Sequence, residues 1–103
     1  MTVKGSDLAV LQRNAGTAAS MLRALANERR LMILCLLIVD QELSAGELAD
    51  RVGLSQSATS QHLAKMREEG LVATRRVAQA VFYRIADADA ARLLGMMKTI
   101  YCP

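Results

Sequence analysis

The stretch from Ser44 to Gly70 constrains the fold more than any other, because it carries two capped helix starts and two glycine stops in close succession. Ser44-Ala45-Gly46-Glu47 has the S-x-x-E form of a capping box. In that device a hydroxyl and a carboxylate three residues apart satisfy each other's backbone donors at a helix start. It opens a helix from Ala45 to about Val52 whose inner face is Leu48, Ala49 and Val52, and Gly53 suits the left-handed position that closes it. Ser55 caps the next helix, which runs to Glu69 and is closed by Gly70. Two helices joined by a turn of about three residues containing glycine form a helix-turn-helix.

The flanks extend this unit. Proline is absent before Pro103, so nothing forbids long helices. Leu8, Leu11, Ala15, Ala18, Leu22 and Leu25 recur at steps of three and four, the stripe of a helix that packs against another helix. The partner is either another part of this chain or a second copy of it. Asn27 caps a helix from Glu28 to about Val39 that is apolar nearly all round, the signature of a buried central helix. After Gly70, Leu71–Val77 and Ala80–Ile85 are rich in Val, Phe and Tyr and flank Ala78-Gln79, which reads as a β-hairpin. Asp87 or Asp89 caps a last helix on which Ala90, Leu93, Leu94, Met97 and Tyr101 share a face. The expectation is a mainly α fold with a small β-hairpin, a winged helix-turn-helix of order α-α-α-α-β-β-α. It forms one domain over 1–103, with the helix-turn-helix at about 45–69 and the wing at about 71–85.

Several function classes fall away on inventory. A chain of 103 residues has no room for a two-domain enzyme, while 52% apolar residues suffice for a packed core. Three aromatics are too few for a platform on which single-stranded bases stack. The longest apolar run, Leu31–Val39, is nine residues, against the roughly twenty of a membrane span. No basic segment leads into an apolar one at the start, so the reading is of a soluble, cytoplasmic chain without a signal peptide. Two cysteines and one histidine fall short of the four ligands of a structural zinc site, and no metal or other cofactor is expected. No catalytic triad, carboxylate pair or phosphate loop stands out, and Cys35 and Cys102 lie 67 residues apart rather than in a C-x-x-C pair. An enzyme is not expected.

The charge is uneven. Residues 1–54 and 86–103 are each neutral, so the whole net charge of +3 sits in 55–85, on Lys65, Arg67, Arg75, Arg76 and Arg84 against Glu68 and Glu69. Such a stretch is either a solvated basic surface or a nucleic-acid footprint, since phosphates are neutralised by Lys and Arg gathered on one element. The second helix of the motif favours the footprint. Thr59, Leu63 and Met66 share one face that packs inward, leaving Gln56, Ser57, Ser60 and Gln61 outward near its amino end. Gln pairs bidentately with adenine and Ser donates or accepts at base edges. Ser55, His62, Lys65 and Arg67, with Arg75, Arg76 and Gln79 of the wing, would lie against the sugar-phosphate backbone, giving affinity more than specificity. His62 has no second His or Cys near it in sequence, so it reads as a helix-edge or phosphate-facing residue rather than a metal ligand.

These residues carry a resemblance. Leu25-Ala26-Asn27-Glu28-Arg29-Arg30-Leu31, Gly46-Glu47-Leu48-Ala49, Leu54 to Leu63 and Gly70-Leu71-Val72 together resemble the ArsR/SmtB family of bacterial winged-helix repressors, over nearly the whole chain. Leu34-Cys35-Leu36-Leu37 and the terminal Tyr101-Cys102 are similar to the HlyU/BigR/SqrR branch of thiol-based sensors, several of which respond to persulfides. The resemblance implies a homodimer built on the helices at about 7–25 and 88–102, recognition helices in successive major grooves of operator DNA, and repression relieved by an inducer. It does not extend to the family's metal sensors. The helix from Ala45 to Val52 has no cysteine, and Asp87–Ile100 contains no histidine.

The same resemblance makes Cys35 and Cys102 a redox switch for reactive sulfur species. On its residues alone Cys35 is a small apolar filler of a buried helix and Cys102 an inconsequential terminal thiol. A direct disulfide needs Cα atoms within about 7 Å, whereas extra sulfur atoms span a wider gap without strain. Bridging would tie the last helix to the second and disturb the spacing of about 34 Å between recognition helices. The alternatives are a general oxidant sensor forming an ordinary disulfide, a metal-responsive regulator with an unfamiliar site, and a winged helix that binds protein rather than DNA.

Overall fold

The computed structural model describes residues 5–102, leaving residues 1–4 and Pro103 of the expected domain outside it. Five helices and a three-stranded sheet follow one another as α1 (Gly5–Leu25), α2 (Glu28–Asp40), β1 (Leu43–Ser44), α3 (Ala45–Val52), α4 (Gln56–Glu68), β2 (Val72–Val77), β3 (Ala80–Ile85) and α5 (Ala88–Tyr101). This is the winged helix-turn-helix anticipated from the capping residues, with one strand more.

The caps are built as the sequence indicates. Asn27 accepts from the Arg30 amide at 3.1 Å. Ser44 and Glu47 complete the reciprocal capping box, the hydroxyl at 3.2 Å and the carboxylate at 3.0 Å from the partner amides. Gly53 closes α3 at φ 72° and donates to the Ala49 carbonyl, a left-handed position where a side chain is disfavoured. Asp87, not Asp89, caps α5 by accepting from the amides of Asp89 and Ala90, each at 2.9 Å. Helix ends and strand starts differ from the sequence reading by a residue or two, as frayed termini do.

β1 went unseen in the sequence because two residues have no periodicity. It exists by tertiary pairing, with Leu43 opposite Tyr83 and Ser44 opposite Phe82. β2 and β3 pair antiparallel from Val72–Ile85 to Val77–Ala80, which leaves Ala78-Gln79 as a two-residue loop. The sheet order is therefore β1-β3-β2.

The core is gathered from every element. Ile33, Leu34 and Leu37 of α2, Leu48 of α3, Leu63 and Met66 of α4 and Leu94 of α5 are the largest fully buried side chains, joined by Leu25, Leu43, Leu71 and Val72. α2 departs from its expected burial on one side, since Met32 and Val39 remain about half exposed. Of the stripe expected on α1 only Leu25 is buried, and of that on α5 Ala90 and Leu94 are buried while Leu93 and Tyr101 are exposed. Met21, Ala24 and Leu25 close on the core, while Leu8, Leu11 and Leu22 of α1 and Leu93, Met96 and Ile100 of α5 stay open to solvent. No helix of the described residues is long and apolar enough to cross a membrane.

Candidate nucleic-acid interface and thiol pair

α4 is held by its inner face and presents its outer one to solvent. Thr59, Leu63 and Met66 are fully buried, and the Thr59 hydroxyl donates to the Ser55 carbonyl at 2.9 Å. The Ser55 hydroxyl accepts from the Ala58 amide at 3.0 Å, so the cap residue is occupied in starting the helix. With the apolar face anchored, Gln56, Ser57, Ser60 and Gln61 are all exposed on one side of the amino-terminal half. The face is made of short hydroxyls and amides, without long charged side chains that would block approach to base edges. Lys65 and Arg67 follow on the exposed surface in the last turn.

His62 is half-buried and turns away from that face. It lines an open cleft of about 820 Å³ with Lys65, Arg30, Glu69 and the last turns of α1. No cluster of three potential metal ligands occurs among the described residues. Arg30, which drew no attention as a sequence, is the one charged side chain buried there. Its guanidinium grips the Glu69 carboxylate with both terminal nitrogens, at 2.9 and 3.3 Å, and donates to the Ala24 carbonyl at 3.0 Å. This pair spans 39 residues of sequence and fixes the carboxyl end of α4 to the start of α2. No local signal marks it.

The wing separates two arginines that look equivalent in sequence. Successive strand residues point to opposite faces, so Arg75 lies with its cross-strand partner Phe82 while Arg76 pairs with Val81 on the other face. Arg76 and the loop residue Gln79 are exposed, and Arg76 has no ion-pair partner among the described residues. Arg75 is engaged. It forks onto Glu42 through Nε and Nη2, both at 2.6 Å, and its guanidinium carbon lies 5.8 Å from the Phe82 ring centroid. Arg84, opposite Ala73, shares that face of the sheet. The hydrogen bond from Arg75, with the charges of Arg75 and Arg84, holds the Glu42 carboxyl below its usual range against an opposing effect of burial.

The two cysteines are free thiols on packed neighbours. Cys35 is half-buried on α2 against the core, and α5 packs across α2. Cys102 is the exposed C-cap of α5, its amide donating to the Lys98 carbonyl at 2.8 Å. Burial pushes the Cys35 thiol up, and the charge on Cys102 pushes it further. Cys102 is the water-facing partner of the two, and Cys35 the protected one.

A polar-faced, capped second helix beside a basic hairpin is the layout of a winged helix-turn-helix, and comparison with known proteins identifies its family. Residues 27–74 match the model of the bacterial regulatory protein family arsR. The transcriptional activator HlyU of Vibrio cholerae is 48% identical over 96 residues, covering 93% of this chain and 88% of that protein. This chain belongs to the ArsR family. The transcriptional regulator YgaV of Escherichia coli is 46% identical, with 95% and 99% of the two chains covered. The crystal structure of the repressor BigR from Xylella fastidiosa superposes with a TM-score of 0.83 at 38% identity, spanning 100% of this chain and 99% of that one. The chain is thus an ArsR-family transcriptional regulator of the HlyU/BigR-like kind, and not an enzyme.

Proposed function

We propose that this regulator is a cytoplasmic homodimeric repressor whose hold on operator DNA is released when reactive sulfur species bridge Cys35 and Cys102. The observation that carries the reading is the placement of the two free thiols: an exposed Cys102 caps α5, and α5 packs across α2, where Cys35 is half-buried. Gln56, Ser57, Ser60 and Gln61 read base edges in the major groove, and Ser55, Lys65, Arg67, Arg76 and Gln79 lie along the backbone. The open apolar stripes of α1 and α5, Leu8, Leu11 and Leu22 with Leu93, Met96 and Ile100, meet their counterparts in a second copy. The relatives' names divide between activator and repressor. Occlusion of a promoter is the output that needs nothing beyond DNA occupancy.

The chemistry balances with two equivalents of a persulfide. Cys102 thiolate takes the outer sulfur of glutathione persulfide, releasing glutathione, and repeats the step to give a hydropersulfide longer by one sulfur. Cys35 thiolate then attacks the sulfur next to the terminal one and expels hydrogen sulfide, leaving a trisulfide between the helices. The exposed thiol reacts first because attack requires access, while burial disfavours the thiolate of Cys35. A coupling of about 1–3 kcal/mol between bridge and DNA changes affinity roughly five- to 150-fold.

Fluorescence anisotropy on the DNA upstream of the chain's own gene tests this, with reduced protein in one arm and protein treated with glutathione persulfide in the other. Tight reduced binding that is lost on treatment and restored by dithiothreitol is expected, with intact mass showing one added sulfur and two lost hydrogens. A Cys35→Ser variant that treatment still releases from DNA overturns the reading.

A further inference from the structure

The Glu42–Arg75 clamp lies on the element that borders DNA in this reading, yet nothing in the helix-turn-helix requires it. Glu42 is placed by unusual backbone. Gln41, the residue before it, has φ 69° and ψ −41°, and the Glu42 amide donates to the Asp40 carbonyl at 2.8 Å, which closes a γ-turn at the end of α2. A non-glycine residue persists in that region only where its surroundings impose it. Here Asp40 is tied to Arg51 of α3 on one side and Glu42 to Arg75 on the other. The carboxylate is thus presented to the wing from a fixed corner.

The clamp occupies one of the two donor edges a phosphate would use. A guanidinium takes carboxylate or phosphate through the same planar fork of N–H groups. Arg75 has its Nε and Nη2 on Glu42 while its side chain remains 57% exposed, so a phosphate oxygen has access to it but finds the Nε–Nη2 edge taken and the positive charge already neutralised, with only the Nη1–Nη2 edge left. Phe82 beneath the guanidinium keeps the arginine in place on the sheet, and Arg84 on the same face adds a second cation near Glu42.

We propose that Glu42 tunes the strength and salt dependence of DNA binding by acting as an internal stand-in for a DNA phosphate on Arg75, removing one cation from the footprint. The proposal rests on the DNA-binding reading of the wing and names a residue that governs its affinity. Exchanging Glu42 for a phosphate is a swap of one exposed, charge-assisted pair for another, so the clamp weakens binding by a modest factor without abolishing it.

The test uses the full chain as wild type, Glu42→Gln, Arg75→Gln and the double variant, with Glu42→Ala read in parallel. Circular dichroism at the assay temperature identifies folded variants. Each is titrated by anisotropy against a fluorescein-labelled mixed-sequence duplex of about 30 base pairs at about 50 to 200 mM KCl, where backbone contacts dominate. Glu42→Gln is expected to bind about three- to ten-fold tighter at the lowest salt, with a log–log salt slope steeper by about 0.9, the value of one extra phosphate contact. That gain is expected to vanish in the Arg75→Gln background. An equal gain in both backgrounds means that Glu42 acts through net charge alone and overturns the proposal. Weaker binding by a folded Glu42→Gln means that Glu42 orients Arg75, which overturns it too. Wild type that binds the duplex without salt dependence fails the DNA-binding reading instead, a separate and distinguishable outcome.

Discussion

Removing Glu69 should cost this protein more stability than removing the buried arginine it serves. The Arg30 side chain is 9% exposed and that of Glu69 33%, and the guanidinium makes two bonds to the carboxylate and one to the Ala24 carbonyl. Glu69→Ala strands a cation in the interior with a single carbonyl left to it. Breaking a fully buried pair costs about 3–5 kcal/mol, and the partial access of water on the Glu69 side brings this to about 2–3 kcal/mol. Arg30→Met keeps an apolar stem in the same space and leaves a carboxylate that water already reaches. Its cost is the lost carbonyl bond, about 1 kcal/mol. The double variant should match Arg30→Met, so the cycle gives a coupling of about 2–3 kcal/mol, the whole cost of Glu69→Ala. Urea unfolding is the assay, at one fixed protein concentration because association would shift the midpoint. In a thermal scan Glu69→Ala should lower Tm by about 10–20 °C and Arg30→Met by about 4–8 °C. If Arg30→Met proves as damaging as Glu69→Ala or worse, the stranded-charge reasoning is wrong and Arg30 acts through packing.

Two further outcomes follow from the wing. Ala78 opens the β2–β3 loop at φ 55°, where its Cβ costs about 1–2 kcal/mol and glycine gives back part of that in chain entropy. Ala78→Gly should therefore raise the urea midpoint by the equivalent of about 0.5–1 kcal/mol, and an unchanged or lower midpoint contradicts the strain. Glu42 is held low chiefly by the hydrogen bond from Arg75, so its folded pKa lies below its unfolded one. Its stabilising contribution is then complete above the unfolded value and disappears as pH falls through the folded one. A carboxyl ¹³C titration should give a midpoint under the ordinary glutamate range that Arg75→Gln moves back up.

The helical frame was legible because its signals are local. Ser44 with Glu47, Ser55, Asn27 and Asp87 each mark a helix start within four residues, and each cap forms. The inner face of α4 was legible for the same reason, since Thr59, Leu63 and Met66 recur at helical spacing and are all buried. What escaped is non-local. β1 exists only against β3, and the partner of Arg30 lies 39 residues away. Glu42 and Arg75 read as surface charges until the sheet brings them together across 33 residues. The open sides of α1, α2 and α5 show the opposite limit: an apolar pattern says that a face needs cover without saying which chain supplies it.

Ser44 belongs to two devices at once. It pairs with Phe82 of the sheet while its hydroxyl caps α3, so one residue welds the hairpin to the helix-turn-helix. Two residues before Ser44, Glu42 is paired with Arg75, and Leu43 is buried between the two, so three successive residues attach the wing at this corner. Hairpin and helix-turn-helix are thus tied together at one corner. In the dimer proposed above, a signal at α2 or α5 is therefore expected to move hairpin and helix together, as a hand turns a key, and to change the distance and angle between the two copies on one duplex.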